Sequence, residues 1–123
     1  MRVDSRTERV IGCAIEVHRA LGAGLLESVY QQCLAHEFGL QDIDYERELP
    51  MPVRYKGIDM DTGYRLDFLV EEQLVLELKA VREIREIDRA QILTYMKLSG
   101  CSTGLLINFH VTKLVNGIQR FKL

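Results

Sequence analysis

The sequence predicts an α/β domain in which a mixed β-sheet is covered by helices on at least one face. Two segments with helical periodicity come first, and the period changes to two from Asp44 onward. A further helical segment then separates two strongly apolar strand-like runs, and this order of elements favours a mixed sheet. The 123 residues suffice for one modest core, so we expect a single domain over residues 1–123.

The composition is that of a folded globular protein. Hydrophobic residues make up 47% of the chain and charged residues 28%, with only two prolines, which excludes intrinsic disorder. With a formal net charge of −2, the chain lacks the overall positive charge of a strong nucleic-acid-binding protein. A local basic patch is still compatible with this charge.

The cysteines and the start of the chain favour a reducing compartment. The three cysteines are odd in number and lie in separate apolar stretches, so we expect buried reduced thiols: Cys13, Cys33 and Cys101. The first ten residues contain no apolar run of signal-peptide length, and no segment approaches the ~18 consecutive apolar residues that a membrane span requires. We therefore expect a cytoplasmic protein without a membrane partner.

Two helices are predicted at the start of the chain. Ser5 and Glu8 have the spacing of a capping box, and apolar residues then recur at helical intervals, which predicts a helix over about 5–21. Glycines where this pattern stops indicate a turn. A second helical pattern runs from Leu26 to near Gly39.

Strands are predicted in the middle of the chain. The period of two over residues 44–60 indicates short strands joined by tight turns. The run 64–70 should then place Asp67 on the face opposite an apolar set, which comprises Tyr64, Leu66, Phe68 and Val70.

The run 74–80 is apolar enough to be a central strand. Glu77 and Lys79 should point away from the face that carries its leucines. A charged stretch over 82–89, interpreted as a solvated face, leads into a helix over about 88–99, and a last buried strand is expected from Thr103.

Asp67, Glu77 and Lys79 are the most informative residues, because two apolar strands carry ionised groups toward a common face. Burying an unpaired carboxylate costs several kcal/mol, whereas a divalent cation makes two converging carboxylates compatible. Oxygen ligands favour Mg²⁺ or Mn²⁺. The alternative is structural: Glu77 and Lys79 form an ion pair at the sheet edge, and Asp67 caps a turn.

These residues also carry a resemblance to a known superfamily. Asp67, nine intervening residues, and then residues 77–79 (Glu-Leu-Lys) resemble the Asp…(Asp/Glu)-x-Lys hallmark of the PD-(D/E)xK nucleases. Residues 24–30 match the motif for which the GxxExxY family is named, and Gln91 with Tyr95 resembles the Q-x-x-x-Y element of the RecB-like branch.

The resemblance implies a restriction-endonuclease-like fold and a Mg²⁺- or Mn²⁺-dependent nuclease that hydrolyses phosphodiester bonds in DNA or RNA. Asp67 and Glu77 would be metal ligands, with the backbone carbonyl of Leu78 as a third, and Lys79 would orient the attacking water and stabilise the transition state. Leu66 departs from the hallmark, which has proline before the aspartate; because proline is not a ligand, this departure leaves the expected chemistry intact.

Five further positions are candidates, four of them through the resemblance, and each has a structural alternative. Glu27 would be a metal ligand, but a carboxylate is also favourable in the first turn of a helix. Gln91 and Tyr95 share a helix face and would hold substrate, or they form an ordinary polar stripe. His18 would line the substrate site or be a hydrogen-bonded core histidine, and Arg65 would contact phosphate or pair with an acid.

Two functions thus remain open. The first is the metal-dependent nuclease. The second is a non-catalytic nucleic-acid- or protein-binding regulatory module that retains the nuclease fold. Because the overall charge is acidic, we expect a local groove, a second copy of the chain or a protein partner to supply affinity for nucleic acid.

Overall fold

The computed structural model describes residues 5–123. Two helices come first, and the strands begin after residue 44, as predicted. The elements are α1 (Ser5–Leu21), α2 (Glu27–Leu40), β1 (Tyr45–Pro50), β2 (Val53–Tyr55), β3 (Ile58–Met60), β4 (Arg65–Val70), β5 (Leu74–Lys79), α3 (Glu86–Ser99), β6 (Thr103–Asn108), a short 3₁₀ helix (Leu114–Gly117) and β7 (Ile118–Lys122).

Five strands form a mixed sheet in the order β1-β4-β5-β6-β7. Only β5 and β6 are parallel, and α3 connects them, because parallel neighbours need a long crossover. The other three pairs are antiparallel. Strands β2 and β3 form a separate hairpin. The predicted class, a restriction-endonuclease-like mixed sheet flanked by helices, is confirmed.

Helices α1 and α2 cover one face of the sheet. Leu74, Leu76 and Leu78 of β5 are fully buried there, in one cluster with Ala14 of α1 and Tyr30 of α2. The alternation predicted for β5 is therefore confirmed, and it directs Glu77 and Lys79 away from this core.

Helix α3 covers the other face, where Val75 of β5 packs in one cluster with Ile92. Leu66 belongs to this second cluster, whereas the sequence pattern placed it with Phe68 on the first face, so that prediction was wrong. The paired residues of β4 and β5 extend only as far as Phe68, and the regular alternation of β4 breaks at Asp67.

The last strand is the element that the sequence pattern missed. β7 forms an edge of the sheet and contains two partly buried apolar residues among polar ones, Ile118 and Phe121. So short a segment lacks a clear period of two, and only its pairing with β6 makes it a strand. Helix α3 begins at Glu86, two residues before the predicted start, which lies within the usual uncertainty of helix ends.

Two smaller observations bear on the expected surroundings of the chain. None of the helices within residues 5–123 combines the length and apolar character needed to cross a membrane. The three cysteines are free, as predicted, and Cys13 and Cys101 are buried; the prediction that Cys33 is buried was wrong, because its side chain is partly exposed.

Candidate active site

The candidate site lies where β4 and β5 separate. The strands pair regularly up to Phe68 and Leu76, and two carboxylates then replace the backbone ladder. The backbone N–H of Asp67 donates to Oε1 of Glu77 at 2.9 Å, and the backbone N–H of Leu78 donates to Oδ2 of Asp67 at 2.8 Å. Each acidic side chain therefore binds the backbone of the opposite strand, which brings the two predicted metal ligands together.

The two carboxylates destabilise each other's charge. Glu77 is only 5% exposed, and burial, followed by the charge of Asp67, raises its pKa to about 8. Burial likewise raises the pKa of Asp67, although hydrogen bonds from Leu78 and Gln31 and the charge of Lys79 oppose this. A proton or a cation is needed to balance the pair at neutral pH.

Lys79 lies beside the carboxylates and is paired with an acid that sequence reasoning missed. Its Nζ is 3.6 Å from Oδ1 of Asp88, and both side chains are about four-fifths buried. The other oxygen of Asp88 accepts a 2.8 Å hydrogen bond from the backbone N–H of Arg85. Asp88 therefore joins the start of α3 to Lys79, although it belongs to the charged run that was interpreted as solvated.

A buried amide supports the strand end that carries Lys79. The side chain of Asn108, 4% exposed, accepts from the backbone N–H of Val81 at 3.1 Å and donates to its carbonyl at 2.8 Å. The backbone N–H of Phe109 donates to the Lys79 carbonyl at 2.8 Å. These bonds hold the segment after β5 against β6, and they fix the backbone from which Lys79 projects.

Helix α2 contributes two residues one turn apart. Glu27 is its first residue; partial burial, followed by the charge of Asp67, raises its pKa, and Lys79 lowers it. Gln31, four residues later, is 7% exposed and donates from Nε2 to Oδ1 of Asp67 at 3.0 Å. Glu27 was a predicted site residue, whereas Gln31 was not. Its position four residues after Glu27 was the only signal for it.

Helix α3 forms the other side of the site. A cavity of about 400 Å³ opens beside Lys79. It is lined by Tyr64, Lys79, Ile87, Asp88, Gln91, Thr94 and Tyr95. Burial, and then the charges of Glu77 and Asp67, raises the pKa of Tyr95 to about 12, so its hydroxyl stays protonated beside the carboxylates. Gln91 and Tyr95 thus line the same cavity as Lys79.

Arg65 and His18 lie outside this group of interacting side chains. Arg65 is exposed, and its Nη1 donates to the carbonyl of its neighbour Tyr64 at 3.1 Å. Nε2 of His18 lies 2.9 Å from the carbonyl oxygen of Val111, and its ring packs against Phe109. Within the described residues, neither side chain has a hydrogen bond or ion pair to the carboxylates.

Comparison with models of protein families identifies the superfamily of this chain. The family model described as the PD-(D/E)XK nuclease superfamily matches residues 4–121. The chain belongs to the PD-(D/E)XK nuclease superfamily. Neither the curated proteins nor the solved structures include a match to the chain.

Nucleases of the PD-(D/E)XK superfamily generally use divalent metals, and the donor set here fits one. No group of three or more His, Cys, Asp or Glu side chains within residues 5–123 is arranged to hold a metal ion by itself. Mg²⁺, however, usually takes one or two carboxylates and keeps several waters. Each carboxylate oxygen has two lone pairs, so the hydrogen bonds to Asp67 and Glu77 leave acceptor capacity for a cation.

Proposed function

We propose that this member of the PD-(D/E)XK superfamily is a Mg²⁺- or Mn²⁺-dependent nuclease that hydrolyses phosphodiester bonds in DNA or RNA. One observation carries the proposal: the carboxylates of buried Glu77 and partly buried Asp67 each bind the backbone of the opposite strand, and Lys79 lies close to both. We assign the chain to the GxxExxY family and to the RecB-like branch, as one domain over residues 1–123 that acts in the cytoplasm.

Asp67 and Glu77 would hold the metal, with the Leu78 carbonyl and Glu27 as further ligands. When bound, the metal would polarise a phosphoryl oxygen and lower the pKa of an attacking water. A bound cation would also stabilise the ionised form of Glu77, which otherwise retains a proton up to a pH of about 8 because its pKa is raised to about 8.

Lys79 would act in the transition state. Its ammonium is a compact charge on a flexible stem, and it can move from Asp88 toward the negative charge that develops on the phosphoryl oxygens. Asp88 is thus a positioning residue, since it holds the ammonium at the mouth of the cavity before substrate binds.

The substrate strand would lie along the cavity that Lys79 and residues of α3 line. Gln91 offers an amide and Tyr95 a protonated hydroxyl, and both can donate hydrogen bonds to phosphate oxygens or bases. Arg65 would contact the phosphate backbone from the exposed end of β4. For His18, a substrate role requires a ring nitrogen to turn from the Val111 carbonyl, and its contacts with Val111 and Phe109 favour the core alternative.

The test is cleavage of labelled DNA and RNA in the presence of Mn²⁺ or Mg²⁺. The wild type should cleave at least one substrate, and E77Q should abolish cleavage. The matched control E16Q removes a carboxylate from an exposed ion pair on α1 and should cleave like the wild type. Cleavage that is equal in wild type and E77Q, or that survives chelation of the metal, would contradict the proposal.

The second candidate function is a non-catalytic module that binds nucleic acid or protein. The net charge of −2 favours it. A nuclease without an overall positive charge would need a local groove, a second copy of the chain or a protein partner to bind its substrate. Binding of metal and nucleic acid without turnover, at any metal concentration, would favour this function over the nuclease.

A further inference from the structure

A chain of two hydrogen bonds links the exposed edge of the sheet to the candidate metal site. Arg47 lies on the edge strand β1, and its Nε donates to Oε1 of Gln31 at 2.9 Å. The amide of Gln31 then donates from Nε2 to Oδ1 of Asp67 at 3.0 Å. Gln31 is buried, whereas Arg47 is exposed, so the chain runs from solvent to a candidate ligand.

The chemistry of the end groups fixes the orientation of the amide between them. A guanidinium can only donate hydrogen bonds, and an ionised carboxylate can only accept them. Gln31 must therefore present its oxygen to Arg47 and its nitrogen to Asp67. Arg47 and Asp67 together fix the orientation of the Gln31 amide, and hydrogen-bond partners of metal ligands commonly tune the affinity of a metal site.

The Nη atoms of Arg47 remain available. Across residues 5–123, Arg47 has no ion pair, and its only side-chain hydrogen bond uses Nε. By contrast, the exposed Arg120 of the opposite edge strand β7 is paired with Glu8 of α1. An arginine that is anchored through Nε and free at both Nη atoms presents a fork that matches two oxygens of a phosphate.

The guanidinium of Arg47 and the carboxylate of the preceding Glu46 lie on opposite faces of the sheet. Arg47 pairs with Phe68, which faces α1 and α2, whereas Glu46 pairs with Leu69, which packs on the α3 side. Glu48 lies near Asp67 and raises its pKa, so its charge adds to the group that a divalent cation would neutralise.

We propose that Arg47 binds a phosphate of the nucleic-acid strand beside the candidate metal site, and that Gln31 ties this contact to the orientation of Asp67. The ligand is a phosphodiester, and the contact lies on the β1 side of the site, away from the α3 wall. This inference rests on the proposed function for its substrate class, yet it is tested by binding rather than by turnover.

The first experiment measures fluorescence anisotropy of a labelled oligonucleotide with Mn²⁺ present, in a K79A background in which cleavage should be about a hundredfold slower than in the wild type. Single-stranded DNA, duplex DNA and single-stranded RNA form three arms. R47M should weaken binding about tenfold, as loss of a charged hydrogen bond predicts. It should also reduce the slope of log K against log salt by roughly 0.7–0.9. The control R120M removes an exposed arginine from the opposite edge strand and should change neither.

The second experiment measures Mn²⁺ affinity by calorimetry without nucleic acid. Q31M, which keeps the side-chain length and removes both hydrogen bonds, should lower the affinity roughly 10–100-fold. R47M should lower it by less, since Gln31 can still reach Asp67, and R120M should leave it unchanged. Thermal melts establish that each variant is folded; if Q31M is not, R47M alone tests the link.

The outcomes separate this inference from the proposed function. If the wild type cleaves nucleic acid but R47M binds like R120M, the phosphate contact is wrong and the nuclease proposal stands. If R47M loses affinity while no protein cleaves, the contact stands and the nuclease proposal fails. Absence of binding in all three arms overturns the contact, and an unchanged Mn²⁺ affinity in R47M overturns the link through Gln31.

Discussion

Replacing Glu77 with glutamine should stabilise the metal-free protein, and by more as the pH rises. Glutamine keeps an oxygen that accepts the hydrogen bond from the Asp67 backbone, and it removes the buried charge. The native pKa of Glu77 is about 8, above its ordinary value of 4.5. A raised pKa means that the native state holds a proton that the unfolded chain releases, so this contribution to stability is complete below pH 4.5 and is lost as the pH rises to about 8.

The magnitude follows from the pH interval. Each pH unit between the two pKa values lowers the free energy of unfolding by about 1.4 kcal/mol. At pH 7 the wild type should therefore have lost at most about 3 kcal/mol, and above pH 8 at most about 5 kcal/mol, relative to acid conditions. A glutamine side chain does not titrate, so E77Q should escape this loss.

The measurement is urea unfolding in EDTA at about pH 5 and about pH 8, with free energies from linear extrapolation. E77Q should exceed the wild type only slightly at the lower pH and by several kcal/mol at the higher one. The control E16Q, which changes an exposed carboxylate, should show no such trend. An E77Q protein that is no more stable than the wild type at the higher pH would refute the argument that Glu77 is buried without charge compensation.

Three further predictions concern the metal and the lysine. Mn²⁺ should raise the melting temperature of the wild type, because a ligand of the native state stabilises it, and D67N/E77Q should lose this shift; a full shift in the double variant would contradict the ligand assignment. K79A should keep the Mn²⁺ affinity yet lose about a hundredfold in single-turnover rate, and a wild-type rate would return Lys79 to a structural role. D88N keeps the oxygen that caps α3 but removes the charge that holds Lys79; its rate should fall roughly tenfold to a hundredfold at unchanged Mn²⁺ affinity. Equal rates in D88N and the wild type would exclude the positioning role of Asp88.

Sequence determined the elements whose side chains repeat at a regular interval. The period of helix α1 located Ser5–Leu21, and the strict alternation of β5 separated Leu76 from Glu77. These predictions succeed because residues one turn apart in a helix, and alternate residues in a strand, lie on the same face and therefore contact the same core. The spacing of Asp67, Glu77 and Lys79 belongs to the same class, since two strands joined by a tight turn must lie side by side and bring the acids together.

Only the tertiary structure decided the partners of these acids. Gln31 reaches Asp67 from 36 residues away, and Arg47 reaches Gln31 from an edge strand, so both contacts depend on how α2 packs against the sheet. Asp88 was hidden in a charged run, and only the start of α3 beside Lys79 distinguishes it from a solvated acid. Periodicity specifies which face a side chain occupies, but the choice of its neighbour requires the distances between elements, which a local pattern does not contain.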